Sequence, residues 1–229
     1  MRTLPQWFRD ERKKLAGYGL RDVVRYAWQY YRLWIIGSAF STCFFGYALY
    51  QYLTVPGEIH FYGILSNTYA QLGQGTEFYN GFIEMAGYDL HTGVVELDCA
   101  NYCKPSGRAI GNTYYEKLIS MMDSGTLDVW IAEAEDVVAV GEGGRLMDLS
   151  AEAAQSIQER YGDRFVSCKP LRDTYSKDPV PIGIDLSGTA LTGPYSAYPN
   201  GAVLAINAYT KRMEEAFRFV DYIFQYAGK

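Results

Sequence analysis

The sequence predicts an α/β domain, a mostly parallel sheet with helices on both faces, preceded by one transmembrane helix. Three observations lead there. From residue 58 onward, apolar runs of strand length alternate with amphipathic stretches of helix length, the pattern of strands joined by helical crossovers. Between Arg32 and Glu58 lie 25 residues without one charged side chain. The charge also divides around that stretch: residues 1–32 hold eight bases against three acids, or +5, and the rest of the 229-residue chain holds −10. Aromatics at 16%, led by 21 Tyr, with charged residues at 21%, exclude a disordered or low-complexity chain.

The charge-free stretch comes first. Leu33–Val55 supplies 23 residues, and a bilayer core needs about 20 apolar residues as helix. Trp28, Tyr30, Tyr31 and Trp34 flank one end and Tyr47, Tyr50 and Tyr52 the other, as suits the two headgroup zones. Ser38, Ser41, Thr42 and Gln51 lower the hydropathy, which is the mark of a buried core helix. The length and the aromatic flanks favour a span instead. The basic lead is longer than a cleaved signal peptide carries, and no small-residue cleavage site follows. Cys43, behind Phe40-Ser41-Thr42, sits mid-span and is no lipoprotein site.

The reading is an uncleaved signal-anchor, with the lipid bilayer as partner through residues 33–55. Arg21, Arg25 and Arg32 precede the span and no base follows until Lys104, which puts the N-terminus in the cytoplasm. Residues 1–32 then form a cytoplasmic basic juxtamembrane segment of a cell-membrane protein, and 56–229 an extracellular domain. The helical spacing of Tyr18–Tyr31, with its bases, favours anionic lipids.

Within 56–229, Glu58–Leu65 reads as a strand. Asn67–Ala86 reads as a helix interrupted by Gly73, Gly75 and Gly81, and Gly93–Asp98 as a second strand. Thr113-Tyr-Tyr-Glu116 fits a capping box, opening a helix with Leu118, Ile119, Met121 and Met122 on its apolar side and Gly125 at its end. Leu127–Ala132 is a buried strand, and a short helix runs from Glu133 to about Glu142. Ser150 caps a helix to Tyr161. Val180–Asp185 and Ala202–Asn207 are further strands. The last helix, Thr210–Ala227, aligns Met213, Ala216, Phe217, Val220, Ile223 and Phe224 in one stripe.

Residues 114–150, YYEKLISMMDSGTLDVWIAEAEDVVAVGEGGRLMDLS, resemble the central segment of bacterial extracellular solute-binding proteins of the type II periplasmic-binding fold. The shared features are a helix ending at Ser124-Gly125, a strand carrying Asp128, and Gly144-Arg-Leu-Met-Asp-Leu149. IGIDLSG (182–188) is similar to the family's strand that enters the ligand cleft, and 202–224 to its closing strand and helix. The resemblance covers about residues 58–227. It implies binding or sensing of a small molecule, with an ABC permease as partner. A full member has two lobes closing on ligand. The 30 residues between Leu149 and Val180 are too few for a second lobe, so the expectation is a domain reduced to about one.

In that family, and in open α/β sheets generally, ligand meets the carboxyl ends of strands. The candidate ligand-binding residues are therefore Ser66, Asn67 and Tyr69, then Asp98 and Tyr102, then Glu133 and Glu135, and finally Asp185 and Ser187. Their carboxylates suit an amine or a sugar. The plain alternative is that Ser66 and Asn67 cap a helix and that Glu133 and Glu135 are a solvated face.

Cys99 and Cys103 bracket a loop-like stretch and are candidates for a disulfide in an oxidising compartment, or else stay unpaired and buried with Cys168. Two His and four Cys match no common zinc spacing. No phosphate loop with its Lys and no Gly-x-Ser-x-Gly elbow occurs, so the expectation is no enzyme, no metal and no cofactor. A −10 domain is a poor partner for nucleic acid. The second function class is a ligand-free interaction or assembly module of a membrane complex, meeting its partner through Tyr114, Tyr115, Tyr195 and Tyr198.

Overall fold

The protein is described here by a computed structural model that describes residues 13, 17, 19–54, 58–107, 111–169, 178–193 and 196–226. The chain divides into two units, 1–55 and 56–229.

The first unit is built on one long helix, α1 (Leu20–Thr54). Among the described residues it is the helix long and apolar enough to cross a membrane, through Trp28–Leu53. Its polar side chains bond within the helix. Ser38 Oγ donates to Ile35 O at 3.0 Å, Thr42 Oγ1 to Ser38 O at 2.9 Å, and Gln51 Nε2 to the Tyr47 hydroxyl at 2.7 Å. Such back-bonding satisfies groups that would otherwise be costly in hydrocarbon.

The second unit is a six-stranded sheet in the order β2-β1-β3-β6-β5-β4. The strands are β1 (Glu58–Ser66), β2 (Gly93–Asn101), β3 (Val129–Ala132), β4 (Phe165–Cys168), β5 (Val180–Asp185) and β6 (Val203–Ile206). The helices are α2 (Glu77–Ala86), α3 (Thr113–Asp123), α4 (Ala134–Gly141), α5 (Gln155–Tyr161) and α6 (Met213–Gln225).

The sheet is mixed, which corrects the expectation of a mostly parallel one. β1 runs parallel to β2 and β3, whereas β6 is antiparallel to β3 and β5, and β4 is antiparallel to β5. The cause lies in the connections. A parallel neighbour needs a crossover of a dozen or more residues, usually helical. The described residues between β5 and β6 form turns and no helix, so β6 returns antiparallel.

Helices cover both faces. Alternation along β1 sends Phe61 and Leu65 to one layer and Ile64 to the other. In the first layer α2 and α6 close over the sheet, and Phe61, Phe82 and Phe219 meet at centroid distances of 4.7–5.0 Å. In the second, Leu118 and Met122 of α3 and Val137 and Val140 of α4 surround Trp130.

Element ends depart from expectation for local reasons. α2 starts ten residues after Asn67, because Gly75 adopts φ +86° and Thr76 then caps the helix, its Oγ1 accepting Tyr79 N at 3.2 Å. α3 is capped by Asn112, whose Oδ1 accepts Tyr114 N and Tyr115 N, so the Thr113 capping box does not form. Gly125 follows α3 at φ +69°, and a Cβ there would meet Tyr209 O at 2.4 Å. Only glycine fits such a position. α6 begins at Met213 rather than Thr210, since Thr210 and Arg212 are drawn off to Asp128.

Asp128, which the resemblance singled out, is a buried brace. Its Oδ2 accepts Tyr62 N at 2.8 Å and Arg212 Nε at 3.0 Å, and its Oδ1 accepts the Thr210 hydroxyl at 2.5 Å. It thereby ties β1, the approach to β3 and the entry to α6. Burial raises its pKa, against the lowering by Thr210 and Arg212.

Cys99 and Cys103 are free thiols. Cys99 packs in the first layer with its Sγ 3.7 Å from Leu97 O, and Cys103 in the second with its Sγ 3.1 Å from Asn101 Oδ1. The sheet's two core layers hold them apart, so the candidate disulfide between them is not formed.

Candidate functional site

With this topology, the carboxyl ends of β1, β2, β3 and β5 and the amino end of β6 share one edge. Two clefts open there. One, of about 580 Å³, is lined by Asn67, Thr68, Tyr69, Tyr102, Lys104 and Glu133. The other, of about 330 Å³, is lined by Glu133, Glu135, Asp185, Ser187 and Asn200, among others. Glu133 lines both.

Glu133 is the N-cap residue of α4, yet its side chain makes no capping bond. Its extended backbone (φ −62°, ψ 149°) turns the chain from β3 into the helix and leaves the carboxylate for the cleft. Lys104 Nζ stands 3.8 Å from Glu133 Oε2, and both side chains are solvent-accessible. Lys104 is held in place from the same helix. Asp136, one turn along and fully buried, accepts Ser106 N at 2.9 Å and the Ser106 hydroxyl at 2.6 Å on its Oδ1. The first turn of α4 thus supplies an acid to the clefts and a latch for the loop that carries the base.

Asn67 ends β1 at φ +55°, a left-handed conformation that Asn tolerates better than most residues. Its backbone N–H donates to Asn101 O at 3.0 Å, and its Nδ2 to Cys103 O at 2.6 Å. It stitches β1 to β2 and caps no helix. Tyr69 and Tyr102 follow, the residues 79% and 53% exposed. Tyr102 packs edge-on to Tyr114 at 5.9 Å. In the second cleft, Asp185 Oδ1 accepts Ser187 N at 3.0 Å and the Ser187 hydroxyl at 2.7 Å. Arg164 Nη1 fixes Ser187 O at 2.7 Å.

Seven of the nine candidates therefore line the clefts: Asn67, Tyr69, Tyr102, Glu133, Glu135, Asp185 and Ser187. Two do not. Ser66 is fully buried; its hydroxyl donates to Asn101 Oδ1 at 2.8 Å and accepts Trp130 Nε1–H at 2.8 Å, a polar knot within the second core layer. Asp98 pairs with Lys117 at 2.7 Å and joins β2 to α3. Among the tyrosines proposed as a contact surface, Tyr114 is exposed but Tyr198 is buried, its hydroxyl donating to Ile131 O. Tyr195 lies outside the described residues. Sequence reasoning missed Thr68, Lys104 and Asn200. Lys104 carried a signal, as the first base after the charge-free stretch.

The site is acidic: three carboxylates face one ammonium. Among the described residues no group of three or more His, Cys, Asp or Glu could hold a metal ion. The buried thiols Cys99, Cys103 and Cys168 have pKa values pushed up by desolvation, which suppresses the thiolate that nucleophilic chemistry requires. The arrangement is suited to holding a small polar molecule through hydrogen bonds, charge and aromatic faces. Comparison with protein-family models, with curated proteins and with solved structures returned no match.

Proposed function

We propose that this chain is a membrane-anchored, solute-binding-like protein whose outer domain, 56–229, binds or senses a small cationic or hydroxyl-rich molecule, and that it works beside an ABC permease. α1 is the anchor. Arg21, Arg25 and Arg32 before the charge-free stretch support a cytoplasmic N-terminus. The observation that carries the binding reading is the pair of clefts meeting at Glu133, on the sheet edge where open α/β sheets take ligands. The carboxylates, Ser187 and Asn200 are donors and acceptors for ammonium or hydroxyl groups, and Tyr69 and Tyr102 offer ring faces for cations.

Calorimetry and thermal melting of the full chain in detergent micelles, against panels of amines, amino acids and sugars, test this. At least one compound should raise the melting temperature and bind with one site. A chain that responds to none of them overturns the reading. The exposed rings of Tyr69, Tyr102, Tyr114 and Tyr209 favour a second reading, a ligand-free interaction module for a membrane partner. That reading requires the negative outcome.

A further inference from the structure

We propose that one stripe of α1, formed by Arg21, Arg25 and Arg32 with Trp28 between them, binds the headgroups of anionic phospholipids and sets the direction in which the helix leans. The proposal rests on α1 being the membrane anchor and is independent of what fills the clefts.

The helix is longer than a bilayer core. Its 35 unbroken residues span about 52 Å at 1.5 Å per residue. The part beyond Arg32 carries no charge and, at about 33 Å, fills a hydrocarbon core of about 30 Å. The turns from Leu20 to Arg32 then stand in the headgroup layer or beyond it.

Those turns are two-sided. At about 100° per residue, Trp28, Arg21, Arg32 and Arg25 fall within an arc of about 60°. Asp22 lies outside that arc. The three arginines and Trp28 are exposed, and none of the arginines is in an ion pair among the described residues. The opposite side carries Tyr26 and Tyr30, with ring centroids 4.6 Å apart.

Guanidinium groups bind phosphate through paired N–H donors, and indole prefers the interface. Phosphodiester headgroups with net negative charge match that stripe. From Arg32 to Arg21 the stripe rises about 16 Å along the axis, which exceeds the roughly 5–8 Å of one headgroup layer. An upright helix would leave Arg21 in bulk water. A lean toward the stripe, held to about 25° by a segment of about 33 Å in a core of about 30 Å, lowers the arginine face toward the phosphates, and interfacial anchors of this kind decide tilt.

The test reconstitutes the full chain in phosphatidylcholine vesicles doped with spin-labelled phosphatidylglycerol or spin-labelled phosphatidylcholine. Electron paramagnetic resonance then reads the motionally restricted lipid at the protein. Labelled phosphatidylglycerol should be enriched about two- to fivefold at low salt, and added sodium chloride should reduce that enrichment. The double variant Arg25→Gln/Val23→Arg keeps the net charge but moves one charge about 160° around the helix. It should lose much of the selectivity. Enrichment that is absent in the native chain, insensitive to salt or unchanged by the swap overturns the stripe. So does enrichment abolished by inorganic phosphate at matched ionic strength, which would assign the arginines to a soluble anion. A chain that never enters the vesicles overturns the anchor itself.

Discussion

Glu133, shared by both clefts, holds its Oε2 3.8 Å from Lys104 Nζ, and both side chains are solvent-accessible. Exposed pairs of this kind contribute no more than about 1 kcal/mol. Their placement at a cleft is therefore separable from folding, and so is their removal.

Glu133→Gln should leave the melting temperature within about 4 °C of the native value, while weakening any ligand found in the screen by about tenfold or more. Calorimetry on native and variant chains measures both. Unchanged affinity would remove Glu133 from the site.

The Asp128–Arg212 pair behaves in the opposite way. Arg212→Met strands a buried carboxylate, and should cost about 3 kcal/mol at pH 7, read by urea unfolding. Asp128 already has a raised pKa in the folded protein. A group so shifted holds its proton more tightly when folded, so its contribution is fully present below the unfolded pKa and is lost as pH rises through the folded one. Without Arg212 the folded pKa rises further. The penalty should shrink steadily as pH falls from 7 toward 4, and a pH-independent penalty would contradict this account.

Tyr222 donates its hydroxyl to Phe78 O at 2.7 Å, and its pKa is pushed up to about 12, first by burial. The neutral phenol is the stabilising form. Its contribution is complete below pH 10 and lost as pH passes through 12. Tyr222→Phe should cost about 1 kcal/mol at neutral pH and make the alkaline loss of stability shallower, followed by tyrosinate absorbance and circular dichroism. Tyr88 and Tyr161 are also raised, so the loss is reduced and not abolished.

Two glycines separate backbone strain from crowding. Gly188 has φ +81° with open space where a Cβ would go, and Gly125 has φ +69° with Tyr209 O 2.4 Å from that position. Gly188→Ala should cost about 1 kcal/mol, the left-handed term alone. Gly125→Ala should cost at least about 2 kcal/mol, because backbone must also shift. Equal costs by denaturant unfolding would show that the contact relaxes freely.

Much of the architecture is written in local pattern. The pattern predicts β1 over Glu58–Leu65 and the strand forms over Glu58–Ser66, because alternation and burial there agree. Strand direction is different, since an apolar run such as Val203–Ile206 reads the same either way; only the helix-free connection reverses it. β4, four residues at a sheet edge with only Cys168 buried, lacks the continuous apolar run that marks β3 and β6 at the same length. The cleft lining is legible where the strand-end rule applies, as at Glu133 and Asp185. The rule fails at Ser66, whose hydroxyl is claimed by Trp130 and Asn101 from elements distant in sequence, and at Asp98, which Lys117 reaches from α3. Three-dimensional partners of this kind leave no mark on the residues beside them.

An exposed loop is ordinarily where a chain lengthens without harm. The loop after β2 differs, because Ser106 is tied by two hydrogen bonds to the buried Asp136 carboxylate. Insertion between Cys103 and Ser106 would swing Lys104 away from Glu133 or strip Asp136 of its donors. Homologous chains that keep Ser106 and Asp136 should therefore hold the stretch from Cys103 to Ser106 at constant length, and place their insertions elsewhere.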